Sequence, residues 1–476
     1  MFQTLYISNN LKFMNTIKVI SPFDQSLVGE VPYSSIPEIE AALELAQATF
    51  LDYKNALPKY KRVEILEKVV EIMSSQIEEL TKLCASEGGK PWIDSKVEVQ
   101  RAINGVKLAI EAMGSQEGKE IAMGHTASSA NRMAYTFKEP IGVVAAISAF
   151  NHPFNLAVHQ VIPALAVGCP VVIKPATQTP MSAIRLVEIL EEAGLPKGWA
   201  QAVVCDRTGG ELLATSKKVD FLTFIGSGAV GWYLNSKVSN GTRVALEHGG
   251  VAPVIVESDA DIDDLIPSIG KGGFYHAGQV CVSVQRIYVH ESIVDEVAGK
   301  LSDYAANLVV GDQLDPKTEV GPLINHNETN RVEQWVNEAV TKGGKILTGG
   351  KRISASCYEP TVILNPADDA LVSTKEVFGP VVCIYSYSDI EEAFHRANQL
   401  EVSFQAAVFT KNIDTALKAV KRLNGTAVMV NDHTAFRVDW MPFGGAKASG
   451  LGLGGIHHSM KECSNEKMML IKSEVL

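Results

Sequence analysis

The sequence predicts an α/β protein of two domains, and three observations predict it. The 476-residue chain exceeds the roughly 250 to 300 residues at which a single hydrophobic core stops growing. From Ile141 onward short apolar runs alternate with helical segments, the pattern of parallel strands joined by crossover helices. After Gly250 the alternation starts again as a second series. No Pro/Ser linker, repeat or low-complexity tract parts the two series, so they are expected to pack together with a cleft between them.

The elements follow in order. Ile39, Leu43, Ala46 and Phe50 recur at helical spacing, and Val63, Leu66, Val70, Met73, Ile77 and Leu80 continue the rhythm. Two amphipathic helices are predicted, each with one apolar stripe turned to a core. The runs IGVVAAIS, PVVIKP, AQAVVC, VDFLTFI and RVALEH then read as strands of a doubly wound sheet. Between the first two lies FNLAVHQVIPALAVGCPVVI, residues 154–173, as long as a bilayer span. Three polar residues and two prolines interrupt it, which predicts instead a buried helix ending near Gly168 and a strand from Val171 to Ile173. In the second series PVIVES, RIYVHE, KILTGG, AAVFT and TAVMVN are strand candidates, with helices from Ser292 to Leu308 and Glu328 to Val340. EKMMLIKS, near the C-terminus, reads as a last strand.

Composition excludes several classes of function. With 46% hydrophobic and 20% charged residues the chain is ordinary globular material, and its net charge of −11 is spread without a Lys/Arg stripe, so no nucleic-acid partner is expected. Cys84, Cys169, Cys205, Cys281, Cys357, Cys383 and Cys463 are odd in number and form no CxxC pair. They predict neither a disulfide framework nor a zinc site, and a reducing, cytoplasmic location. His457, His458 and Cys463 lack a fourth ligand, so no metal is expected. The opening MFQTLYISNNLKF has no basic and then apolar segment of a secretory signal, and Met1 and Met14 are both possible starts. No membrane association is expected.

Three motifs carry chemistry. GSGAVG, residues 226–231, places Gly226, Ser227 and Gly231 in a G-x-G-x-x-G turn between the run VDFLTFI and a predicted helix, where backbone N–H groups can approach a pyrophosphate. Glu247 lies about 20 residues further on, where a dinucleotide fold places an acid against a ribose. It also immediately precedes the junction of the two series in LEHGG, so a general base facing the cleft is an equal reading. Cys281, in FYHAGQVCVSVQR, follows a turn rather than sitting inside an apolar run, as a reactive rather than a structural cysteine would.

These motifs, together with AFNHP around Asn151, IKPATQTP around Lys174 and Thr177, EVFGP with Glu376 and Phe378, and PFGGAKASG from Pro442, occur in the order of the NAD(P)-dependent aldehyde dehydrogenases. The chain resembles that superfamily over nearly its whole length, nearest the lactaldehyde, phosphonoacetaldehyde and non-phosphorylating glyceraldehyde-3-phosphate dehydrogenase branch. The resemblance implies a Rossmann-type cofactor domain (1–120 and 140–249), an α/β catalytic domain (250–458) and a small β oligomerisation arm (121–139 and 459–476). It implies that Cys281 is the nucleophile, Asn151 with the Cys281 backbone N–H the oxyanion donors, and Glu247 the base for the deacylating water. Ser148, Phe150, Lys174, Ser227, Glu376 and Phe378 are the implied cofactor contacts. Thr177 stands where NAD-selective relatives carry a glutamate that repels a 2′-phosphate, so NADP as well as NAD is expected.

Arg101, His159 and Arg437 resemble positions near the anionic or hydroxylated tail of a substrate. Arg101 can equally be a structural ion-pair partner and His159 a satisfied core histidine. His276, Val280, Val251 and Phe150 replace the asparagine, arginine, lysine and tryptophan usual in the family. Loss of the arginine at 280 favours a small hydroxylated or singly charged aldehyde over a doubly charged one. The resemblance also implies a homodimer or homotetramer, with the last strand pairing to the arm of a neighbouring subunit. A thiol acyl hydrolase without redox function, and a silent structural homologue, are the competing readings. The second would have lost Cys281 or Glu247, and both are present.

Overall fold

The computed structural model describes residues 15–115 and 117–476; the possible starts Met1 and Met14 lie outside the described residues. Its first sheet runs Arg243–Glu247, Phe221–Ile225, Val144–Ile147, Val171–Lys174, Ala200–Ala202, all parallel. Each strand is an apolar run because both faces are covered. Ala145 and Val172 point into one core with Ile39, Leu43 and Leu213, while Val144, Ala146, Val171 and Ile173 point into the other with Val106, Val158 and Leu186. Alternation along one strand thus feeds two helical layers. The helix Pro153–Val167 is buried throughout and ends at Gly168 (φ 100°), so the apolar stretch after Asn151 is a core element of this layer. No helix among the described residues is long and apolar enough to cross a membrane.

The second sheet is ordered Lys345–Thr348, Thr361–Leu364, Val381–Tyr387, Val284–His290, Ala252–Val256, Gln405–Phe409, Ala427–Val430, parallel except for its first strand. Its own core gathers Val254, Ile287, Val289, Leu301, Val336 and Phe394. The short strand Gly450–Leu451 leaves this half of the molecule and pairs antiparallel with Leu246 and Glu247 of the first sheet. The boundary between the halves is therefore crossed again after Gly250.

Two expectations need correction. The second amphipathic helix is broken at Gln76 (φ −115°, ψ 22°) into Lys59–Ser75 and Ile77–Gly88, although Leu66, Met73 and Leu80 are buried as the spacing requires. The last strand, Ser464–Lys472, pairs along its whole length with Arg132–Pro140 of the same chain, not of a neighbour. The helix Ile456–Glu462, anchored by Ile456 and Met460 in the core beneath, sets the strand down beside its own arm.

Candidate active site

Strands Val144–Ile147 and Phe221–Ile225 lie side by side, yet the chain leaves them toward opposite edges of the sheet. That is the switch point at which an open parallel sheet leaves a crevice at its carboxyl ends. Ser148 to Asn151 follow the first strand and Gly226-Ser227 the second. Arg243–Glu247, next in the sheet, delivers Glu247 at its carboxyl end. From there His248-Gly249-Gly250 crosses to the second sheet, whose strand Val284–His290 is preceded by Cys281. The Gly250 N–H donates to the Cys281 carbonyl at 3.1 Å, tying crossing and nucleophile loop together. A cleft of about 650 Å³ opens between the halves and is lined by Asn151, Glu247 and Cys281.

The loop before Cys281 is bent by three successive left-handed residues, His276, Ala277 and Gly278 (φ 50°, 53° and 68°). Two of them are not glycine, a conformation that persists only when its surroundings fix it. Gln279 does so. Its buried amide donates to the carbonyls of His276 and Pro322, both at 3.2 Å, and accepts from the Ile324 N–H at 2.9 Å. The Asn151 amide donates one hydrogen to the Gln279 carbonyl at 2.9 Å. Its second N–H is left for the cleft. The helix behind Asn151 has no cap of its own; Glu98, fully buried and paired with Lys90, accepts the N–H groups of Phe154 and Asn155 at 2.9 and 3.0 Å.

Cys281 opens to the cleft, and its Sγ stands 3.9 Å from Glu247 Oε1. Burial against Val280, Val282, Phe404 and Phe443 pushes the thiol well up, the carboxylates of Glu247 and Glu376 push the same way, and Arg437 pulls back. Burial also raises the Glu247 carboxyl, against Arg437 and the thiol. Burial thus disfavours the charged form of both groups, and an isolated thiolate here would be poorly solvated.

The cofactor residues foreseen in the sequence converge on one side of the cleft: Ser148, Phe150, Lys174, Thr177, Gly226, Ser227, Glu376 and Phe378 all line it. Gly231 does not. A Cβ there would meet His248 Cε1 at 2.0 Å, so this glycine lets the helix Gly228–Asn235 pack on His248. The residues fit a nicotinamide dinucleotide. Among the described residues Ser148 Oγ and Glu376 Oε1 are buried without a partner, and the Lys174 ammonium reaches only the Pro175 carbonyl at 3.2 Å. Gly249 leaves the room that Glu376 occupies, since a Cβ there would fall 1.8 Å from Glu376 Oε1. Phe150 and Phe378 meet edge to face at 5.7 Å in the same wall.

On the substrate side the three foreseen residues part company. The Arg437 guanidinium stacks on the Phe443 ring at 3.5 Å, its Nε has no partner among the described residues, and it faces the cleft with Cys281 and Glu247. Arg101 also lines the cleft but is held by Asp439, at 2.7 and 3.2 Å. His159 is buried and turned to the same carboxylate, Nε2 at 2.8 Å from Oδ1, outside the main cleft. Burial takes His159 down to about 4, so it stays neutral and donates to Asp439. Despite its own burial, Asp439 is held well below the usual carboxylate range by His159 and Arg101.

Sequence reasoning missed Asp439, which no spacing connects to Arg101, 338 residues earlier. It also missed Tyr275, Asn155, Glu328 and Arg331 in the cleft wall, and Gln285, whose side chain clamps the Glu376–Phe378 turn through Lys375 O and Val377 N at 2.7 and 2.9 Å. Tyr275 and Gln285 stood inside FYHAGQVCVSVQR, Asn155 inside the apolar stretch 154–173, and Glu328 and Arg331 inside a predicted helix, but nothing in those stretches pointed them at the cleft.

A carboxyl beside a thiol, an amide donor and a dinucleotide crevice in one cleft are the parts an aldehyde oxidoreductase needs. The model of the aldehyde dehydrogenase family matches residues 9–469. The chain belongs to the aldehyde dehydrogenase family. It is 39% identical over 456 residues to a 3-sulfolactaldehyde dehydrogenase of Priestia aryabhattai, covering 96% of this chain and 94% of that one. A lactaldehyde dehydrogenase of Methanocaldococcus jannaschii is 37% identical, with 95% and 96% covered. Among solved structures, aldehyde dehydrogenase 21 of Physcomitrella patens in complex with the reaction product succinate superposes with a TM-score of 0.93 at 36% identity, 96% and 95% covered. The glyceraldehyde-3-phosphate dehydrogenase of Methanocaldococcus jannaschii complexed with NADP gives 0.92, also at 36% identity, with 96% and 99% covered. As a family member the chain is an NAD(P)-dependent aldehyde oxidoreductase with an aldehyde dehydrogenase fold.

Proposed function

We propose that this enzyme oxidises a short, hydroxylated aldehyde carrying a single negative charge to its carboxylic acid. Its catalytic residues are Cys281, Glu247 and Asn151. One observation carries the substrate reading: Arg437 is a cation in the cleft wall that joins none of the ion pairs among the described residues, beside Cys281 and Glu247. A half-buried charge without a partner is poorly solvated, and an anionic substrate tail supplies the partner. Arg101, held by Asp439, adds a second positive edge to the same wall. Val280 beside the nucleophile offers no third charge. Among the similar proteins, sulfolactaldehyde, glyceraldehyde 3-phosphate and succinate are anions, whereas the lactaldehyde dehydrogenase is named for a neutral hydroxylated aldehyde.

In the reaction proposed, Glu247 takes the Cys281 proton as sulfur adds to the carbonyl carbon, giving a thiohemiacetal. The free Asn151 N–H and the Cys281 backbone N–H face the oxyanion; one such donor is worth about 2.7 to 4 kcal/mol. A bound nicotinamide dinucleotide supplies the hydride acceptor for this step. Lys174 would hold its adenosine ribose, Ser227 the pyrophosphate, Glu376 and Phe378 the nicotinamide ribose and ring, Ser148 would add a further contact, and the short neutral Thr177 would leave a 2′-phosphate unopposed. What remains on Cys281 is a thioester. Glu247 deprotonates a water that attacks it, and the thiolate leaves with the carboxylic acid as product. The cofactor-free acyl hydrolase reading has no support among the related proteins. The seven free thiols fit a reducing cytoplasm.

The test is a panel of glycolaldehyde, lactaldehyde, succinic semialdehyde, glyceraldehyde 3-phosphate and phosphonoacetaldehyde with both cofactors, on wild type and Arg437→Leu. The expected result is that R437L raises KM for the anionic aldehydes by about 10- to 100-fold, as loss of a charged hydrogen bond requires, and leaves the neutral ones unchanged. Equal effects on both groups overturn the assignment.

A further inference from the structure

Asn155 stands in the first turn of Pro153–Val167, one helical step beyond Asn151, and its side chain lines the cleft beside Leu156, Arg101 and Tyr275. It is 2% exposed. Its backbone N–H is already spent on Glu98, but its Oδ1 has no hydrogen-bond partner among the described residues. Burying an amide without a partner is unfavourable, and a leucine beside Leu156 would fill the same place without that cost. Two further polar groups on this side are accounted for: the Tyr275 hydroxyl contacts His152 Nε2 at 3.3 Å, and Arg101 is engaged by Asp439.

We infer that Asn155 is the specificity residue that reads the substrate hydroxyl next to the aldehyde carbon. This rests on the proposed aldehyde oxidation and names a second feature of its substrate. A carboxamide offers an acceptor and a donor in one plane, and an alcohol presents both a donor and an acceptor. The match holds whichever way the amide is turned. Arg437 contacts the charged tail and Asn151 the reacting oxygen, so Asn155 adds a third polar contact from the helix that follows Asn151. Sites built around a substrate hydroxyl reject the deoxy analogue strongly, because the buried polar group is then left bare.

The experiment compares kcat/KM for lactaldehyde and propanal, two neutral aldehydes that differ by this hydroxyl, in wild type, Asn155→Leu and Asn155→Ala. Wild type is expected to favour lactaldehyde by about 10- to 100-fold. In N155L the ratio falls to about one, through loss on lactaldehyde and gain on propanal. N155A, which leaves space instead of bulk, keeps the test open should N155L not fold. A wild-type ratio near one, or a preference for lactaldehyde that survives both substitutions, overturns the assignment. Absence of cofactor reduction with every aldehyde would instead sink the oxidation reading itself, and the neutral pair keeps the outcome separate from that at Arg437.

Discussion

Glu247 is the residue on which the two readings of the sequence diverged, ribose ligand or base, and its position supports the base: it faces Cys281 at 3.9 Å, while Ser148 and Glu376 carry the groups of the dinucleotide crevice left unpartnered among the described residues. Glu247→Gln keeps the shape and removes the base. We expect kcat to fall by about 10²- to 10⁴-fold, with a burst of about one equivalent of reduced cofactor per site as thioester accumulates. Rapid-mixing absorbance reads both; a raised cofactor KM with kcat unchanged would return Glu247 to the ribose. Glu376 gives a pH prediction. Burial pushes its carboxyl up to about 8, against Arg331. Below that pH the cofactor-free enzyme holds it protonated. Ribose hydroxyls donating to it favour the ion, so cofactor binding releases a proton, and affinity rises with pH until about 8 and levels above it. Glu376→Gln should flatten the profile of Kd against pH measured by fluorescence titration.

At the level of elements, function rests on turns that the sequence advertises with glycine and on helices it conceals. Gly278 is a case of the first. Its φ is 68°, and a Cβ would lie 2.1 Å from the Gly379 carbonyl oxygen, in the turn that carries Phe378. Gly278→Ala should therefore cost about 1 to 3 kcal/mol from backbone strain alone, with a further loss from the clash. Both the nucleophile loop and the Glu376 turn would shift. A lowered Tm together with a lowered kcat is expected, and an unchanged kcat would show that the two turns are independent. Parallel strands were readable because burial on both faces makes them unbroken apolar runs, as VVIK and FLTFI show. Trp92–Gly114 was not. It buries Asp94, Ser95 and Glu98 along with Val99, Ala102 and Val106, so its apolar rhythm is blurred by polar residues whose partners lie elsewhere in the chain. The break at Gln76 has neither glycine nor proline to announce it. In the candidate site, Cys281, Glu247 and Asn151, which the structure brings into one cleft, stood out because each lies at or beside a turn between strand and helix. Asp439 and Asn155 were not, because what marks them is a partner, or the lack of one, in three dimensions.

The whole molecule keeps its candidate catalytic and cofactor residues within one chain, yet carries a surface that a single chain leaves uncovered. Ser464–Lys472 is an edge strand of the three-stranded arm, and Met468, Met469, Leu470 and Ile471 are exposed in succession. Successive residues point to opposite faces, so both faces are apolar and open. Ala427–Val430, at the edge of the seven-stranded sheet, is also without a further neighbour, with exposed Val430 on it and Leu417 and Val420 on the helix Ile413–Arg422. Long apolar edges invite pairing. A second copy that lays its arm on this edge would satisfy both surfaces by two-fold exchange, each chain giving one and receiving one. A homodimer, or a tetramer of such dimers, is the proposed assembly. Light scattering at micromolar protein should find a dimer or larger for wild type and a monomer for Met469→Lys/Ile471→Lys, which places two charges on one face of the edge strand. Because Cys281, Glu247, Asn151 and the dinucleotide crevice share one cleft of one chain, the monomer should still reduce cofactor with aldehyde. A monomeric wild type would show that these edges stay open in solution, whereas a variant that loses activity on dissociation would mean that a neighbour completes the cleft.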